Sequence, residues 1–197
     1  MYVAHDPILS TRLDRTYCTS LQCTSPLVYN SCCGDCGAVF TNKNDLQTAV
    51  DAGDTTTYGP INCWGVSAVT DMSFLFAWTF NDPLNCWDVS SVTNMAGMFA
   101  YAIVFNQPLD NWNVSSVTDM HAMFYFASAF NQNLCPWFFT TTLVPDTTDM
   151  FTDSGCSDDS NPNFTTKDQI CDDTCQFPSS SPSKVSCRDT LVLLMYV

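Results

Sequence analysis

Cysteine carries most of the chemical potential of this chain, with twelve among 197 residues. Cys33-Gly-Asp-Cys36 has the spacing of a redox dithiol or of half a zinc site, since two thiolates two residues apart can share one metal or close one small ring. A zinc site needs a second well-spaced pair with His, and a redox site needs a strand-to-helix turn; neither follows Cys36. Structural disulfides are the favoured reading. Cys18, Cys23, Cys32, Cys33 and Cys36 crowd one end and Cys156, Cys171, Cys175 and Cys187 the other, as in flanks stapled in an oxidising compartment. Five cysteines cannot all pair among themselves, so full oxidation sends at least one elsewhere. Cys63 and Cys86 each precede a Trp, and in adjacent in-register strands their Cα atoms would lie near the ~5 Å of a disulfide. That geometry makes the two disulfide candidates.

Acid and base chemistry has little to work with. Twenty acidic residues, every one an Asp, face six basic ones for a net charge of −14, and the stretch from Asn44 to Thr166 holds no Lys or Arg. A nucleic acid or an anionic membrane requires clustered Lys and Arg, so both are excluded as partners. The two histidines, His5 and His121, stand in no recognisable triad, and no cofactor or enzyme activity is expected. Asp71, Asp88, Asp119 and Asp149 offer oxygens, but no calcium loop ending in Glu exists, so no metal site is assigned. Asn113-Val-Ser115 and Asn163-Phe-Thr165 are glycosylation acceptors in form; Asn163, in a polar loop, is the better one.

Such residues need positioning, and the composition says by what. Asp, Asn, Ser and Thr hydrogen-bond their own backbone in turns and caps, so the chain should consist of many short elements. Those elements repeat. Trp64, Trp87, Trp112 and Trp137 are spaced 23, 25 and 25 residues, and Phe80-Asn81, Phe105-Asn106 and Phe130-Asn131 share the period of 25. Units run Leu84-x-x-Trp87-x-Val89-x-x-Val92-Thr93-Asn94-Met95-x-x-Met98-Phe99, with counterparts from Ile61 and Leu109. A fourth starts at Leu134-x-x-Trp137-x-Phe139 and reaches Thr148-Asp149-Met150-Phe151 only after an insertion. Trp-x-Val alternates with period two and predicts a short strand. The following Val-Thr-Asx-Met-x-x-Met-Phe predicts one or two helical turns, with Thr93 as N-cap. Pro108 then turns the chain back. The predicted fold is α/β: a short leucine-rich-repeat-type solenoid with a parallel strand ladder, short helices and Cys-rich flanks. One unit cannot bury its own apolar face, so units must stack. The Trp row is predicted to fill the core rather than to stack sugars. Asn81, Asn106 and Asn131 recur at one turn, where their amides satisfy backbone groups.

Phe105 to Met120 and Trp87 to Phe99 resemble the BspA-like leucine-rich-repeat family of surface proteins and lipoproteins, over about 40–151. The lead-in from Phe40 to Val50 resembles the short helix that caps the first coil in that family. The resemblance implies a cell-surface repeat scaffold for adhesion or binding rather than catalysis, and carries no catalytic residues. Here the first unit is two residues short, Gly65 replaces the usual Asp, and the flanks are rich in Cys.

Three segments follow: a Cys-rich flank over 1–39, the repeats with their capping helix over 40–155, and a Cys-rich flank with a Pro/Ser linker over 156–197. No secretory signal is visible before Tyr17, and the apolar Leu191 to Val197 is far shorter than the ~20 residues that cross a bilayer. The expected function is adhesion, or binding of an extracellular protein or glycan, by a secreted or surface-displayed protein. Its contact face is the outward side of the strands: Cys63 and Gly65, Cys86 and Asp88, Asn111 and Asn113, Pro136 and Phe138. Asp88, Asn111 and Asn113 are the candidate contacts. The alternative is a redox or zinc module acting through Cys33 and Cys36 with the repeats as support. A third reading takes Thr70, Thr93 and Thr118 as a small ice- or mineral-binding array.

Overall fold

The computed structural model describes residues 37–141, 143–166 and 170–171. Cys33, Cys36, Cys175 and the Pro/Ser linker lie outside them. The described part opens with helix α1, Lys43–Ala52. Asn42 caps it by accepting the Asp45 amide at 3.0 Å, and Gly53, at φ 57°, closes it by donating to the carbonyls of Ala49 and Val50. Its Leu46 and Ala49 are buried against the first repeat unit. Helix α2, Thr55–Tyr58, follows, with the Asp54 carboxylate accepting the amides of Thr56 and Thr57. A 3₁₀ turn over Ile61–Cys63 then leads into Trp64.

From there the units lie side by side, each bonded to the next. The predicted elements, however, fall elsewhere. No strand forms at Trp-x-Val in the second and third units; the parallel contacts lie seven residues later, as single bridges joining Asp71 to Asn94, Asn94 to Asp119, and Asp119 to Asp146. The helix expected behind Thr93 is likewise absent. Thr93 donates its amide (2.8 Å) and its hydroxyl (3.2 Å) to the Thr70 carbonyl of the preceding unit. Beyond it the chain makes tandem turns, with Met98 N–H on the Met95 carbonyl and Ala102 N–H on that of Phe99. Meanwhile the amides of Met95, Gly97, Phe99 and Tyr101 reach across to the carbonyls of Asp119, His121, Met123 and Tyr125 at 2.7–2.9 Å. Apolar spacing of three and four suits a helix and a chain of tight turns equally, and pairing with the next unit selects the turns.

The turns need residues of positive φ. Phe74, Gly97, Ala122 and Asp149 occupy one such place in successive units, and Tyr101, Phe126 and Asp153 a second. Gly97 is required twice over: its φ is 59°, and a Cβ there would lie 2.2 Å from the Phe74 ring.

Inside, like stacks on like. The four repeat-marking indoles are all 5% exposed or less. Trp87, Trp112 and Trp137 each donate their ring N–H to a carbonyl of the previous unit, those of Ile61, Leu84 and Leu109, at 2.8–3.0 Å. A buried donor is thereby satisfied and two units are tied. Phe76, Phe99, Phe124 and Phe151 form a second column with ring centroids 5.1–5.7 Å apart. Phe80, Phe105 and Phe130 form a third.

The ends are closed differently. Val39 bridges to Gly65, and a Cβ on Gly65 would press on Val39 at 3.1 Å, which accounts for Gly where the other units carry a larger residue. In the fourth unit Trp137–Thr140 is a single helical turn, α3, in place of the predicted strand: Trp137 stays inward, but Phe138, expected outward, is buried against Phe164, and Phe139, expected inward, is exposed. Packing does not stop at Gly155. Phe164, Ile170 and Cys171 belong to the same core, and a disulfide joins Cys156 to Cys171.

Candidate functional site

The predicted contacts sit on the surface, two of them in turns. Asp88 is exposed, and its carboxylate accepts the amide (3.2 Å) and hydroxyl (2.7 Å) of Ser90. Asn113, its counterpart one unit on, accepts the Ser115 amide at 3.2 Å, and Asn111 is exposed nearby. Asp88 and Asn113 thus close the turn after Trp. Asn163 is exposed and turns its side-chain oxygen onto the amides of Thr165 and Thr166. Cys63, buried, ends the 3₁₀ turn, whereas Cys86 is half-buried in the equivalent loop with its amide on Asn62. Among the described residues a disulfide joins Cys156 to Cys171, and Cys135 is also disulfide-bonded.

The other reactive groups serve as ties. Lys43, the one Lys or Arg among the described residues, donates from α1 to the Ser73 hydroxyl and lies 3.7 Å from Asp71. Burial pushes the Asp71 carboxyl up, but the Ser73 amide and hydroxyl and the Lys43 charge outweigh it and hold the group below its usual range. The amide and hydroxyl of Thr148 depress Asp146 in the same way, with a smaller contribution from His121. The Thr93 and Thr118 hydroxyls donate to the carbonyls of the preceding Thr. Among the described residues no three His, Cys, Asp or Glu side chains are placed to hold a metal, and no helix is long and apolar enough to cross a membrane.

The feature that sequence reasoning missed is apolar. Trp78, Tyr101 and Phe126 are 64%, 43% and 38% exposed and stack in one row across three units. Trp78 and Tyr101 lie 6.2 Å apart at 24°, Tyr101 and Phe126 5.3 Å apart at 14°. Phe74, exposed beside them, lies over Gly97, and Ile103 and Val104 protrude at the next corner. A signal existed, because each member of the row follows a repeat-marking Trp by fourteen residues. Nothing in that spacing tells an outward aromatic from an inward one until the turns are known. The row ends in acid: the fourth unit places Asp149 where the first has Phe74, and Asp153 where the third has Phe126.

A family model described as Mycoplasma protein of unknown function, DUF285, matches residues 44–164. No curated protein matches the chain. No solved structure does so either.

Proposed function

We propose, from the premise that this chain belongs to the DUF285 family, that it is a non-enzymatic repeat scaffold of the BspA-like leucine-rich-repeat kind. On this reading it is displayed outside the cell for adhesion, or for binding an extracellular protein or glycan. The observation that carries the reading is the row Trp78, Tyr101, Phe126, together with Phe74. Contiguous exposed aromatics mark contact surfaces, and the same chain buries the indoles that its core needs. Bonding that runs from each unit to its neighbour supports the solenoid part. The Cys156–Cys171 disulfide fits an oxidising compartment.

The test is a screen of the chain on immobilised extracellular proteins and glycans, with Trp78→Ser/Tyr101→Ser/Phe126→Ser beside it. The triple variant should lose binding by about tenfold or more while still unfolding cooperatively in urea. A second variant, Asp88→Ala/Asn111→Ala/Asn113→Ala, should keep its binding. Binding that survives the first set and disappears with the second would move the contact to the polar face and reject the aromatic row.

A further inference from the structure

We propose that the aromatic row and the two carboxylates at its end form a docking surface for a basic, Arg- or Lys-bearing segment of a partner protein. The inference rests on the binding role proposed above and specifies the partner's chemistry. Ring geometry comes first. Trp78, Tyr101 and Phe126 stack on one another in an exposed apolar stripe across three units. Such a stripe suits aliphatic side chains, and Ile103 and Val104 extend the apolar area.

The row then stops being aromatic. Its next place holds Asp153, and the parallel row from Phe74 through Gly97 and Ala122 ends in Asp149; both carboxylates are exposed. A guanidinium or ammonium seated there would meet carboxylate on one side and the Phe126 end of the column on the other, a cation–π and ion-pair setting in one place. Charge complementarity decides the occupant. The net charge is −14, and no Lys or Arg stands between Asn44 and Thr166, so the surface repels acidic glycans and nucleic acid and attracts cations. An extended segment alternating basic and aliphatic residues matches both halves of the stripe.

The experiment uses fluorescein-labelled peptides, one alternating Arg and Leu and one alternating Glu and Leu, alongside neutral oligosaccharides. Anisotropy is read at low and at physiological salt. The Arg/Leu peptide should bind and the Glu/Leu peptide should not. Asp149→Asn/Asp153→Asn should weaken binding about tenfold. Asp82→Asn/Asp110→Asn removes the same charge elsewhere on the surface and should change affinity less than about twofold. Equal losses in the two double variants would mean generic attraction to an acidic protein and would overturn the proposal. If Trp78→Ser/Tyr101→Ser/Phe126→Ser abolishes capture of a partner while Asp149→Asn/Asp153→Asn leaves it intact, the basic segment is overturned and the binding surface stands. Binding of oligosaccharide in place of peptide overturns the partner class alone. Loss of the surface itself shows as indifference of every ligand to the triple aromatic variant.

Discussion

At the scale of single residues, backbone sign decides what each position tolerates. Gly97 and Ala122 hold the same place in neighbouring units at φ 59° and 52°, and Gly97 lies under the Phe74 ring. Gly97→Ala should therefore lower stability by at least the ~1–2 kcal/mol of a left-handed non-glycine residue, with the cost of moving Phe74 added. Ala122→Gly removes the same strain against ~0.5–1 kcal/mol of chain entropy, and should leave stability unchanged or raised by up to about 1 kcal/mol. Urea unfolding of the two variants checks the pair; a Gly97→Ala chain as stable as the parent would contradict the close approach of Phe74. Trp78 differs from the other four tryptophans for a related reason. It stands within the tight turn that the Phe80 amide closes on the Ala77 carbonyl, and its indole is 64% exposed while theirs are buried.

At the scale of the element, the repeating unit is a turn system held by side-chain oxygens. Asp71, Asn94, Asp119 and Asp146 each accept the amide two residues ahead, at 2.8–2.9 Å, and these four residues also make the parallel bridges. A second ladder runs along the opposite bend. Asn81 accepts the Asn106 amide and Asn106 the Asn131 amide, both at 3.0 Å, while Gln107 and Gln132 reinforce each step. In both contacts with the following unit, from the Asn131 amide and the Gln132 side chain, Asn106 Oδ1 is the acceptor. Asn106→Ala should accordingly cost about 1 kcal/mol, and Asn106→Asp, which keeps an acceptor, clearly less. Thermal unfolding at neutral pH separates the two, and equal losses would show that the acceptor is not what matters there.

At the scale of the whole molecule, stability rests on contacts between neighbours and on closed ends. α1 covers one end, tied through Lys43 to Ser73 and Asp71; Phe164, Ile170 and the Cys156–Cys171 disulfide cover the other. A chain of net charge −14 works against its own repulsion, and several of its acids act in the fold. Asp71 and Asp146 have depressed folded-state pKa values, so the stability they add is fully present above the ordinary carboxyl range near 4 and is lost as pH falls through the folded values. Asp71→Asn/Asp146→Asn should thus be less stable than the parent at pH 6, and the gap should narrow at about pH 3, below the ordinary carboxyl range. Urea midpoints at the two pH values check this; a gap that persists undiminished in acid would show that the two side chains act through shape and not through charge.

The amino-acid sequence alone determined the period, the identity of the buried Trp, Phe, Val and Met positions, and the recurrent Asn that ties one unit to the next, because these depend on chemistry repeated at fixed intervals. It also fixed the field: without Lys or Arg from Asn44 to Thr166, no arrangement of this chain presents a basic face there. Tertiary structure decided where the bridges fall and which aromatics face water. Val-Thr-Asn-Met-Ala-Gly-Met-Phe, Val92 to Phe99, satisfies a helical pattern as well as a turn pattern, and only the carbonyls of the next unit, within reach of every second amide, select the turns. Once they are selected, Met95, Met98 and Phe99 point inward and Tyr101 outward. The direction of a side chain is a property of the stacked neighbours, which no single unit contains.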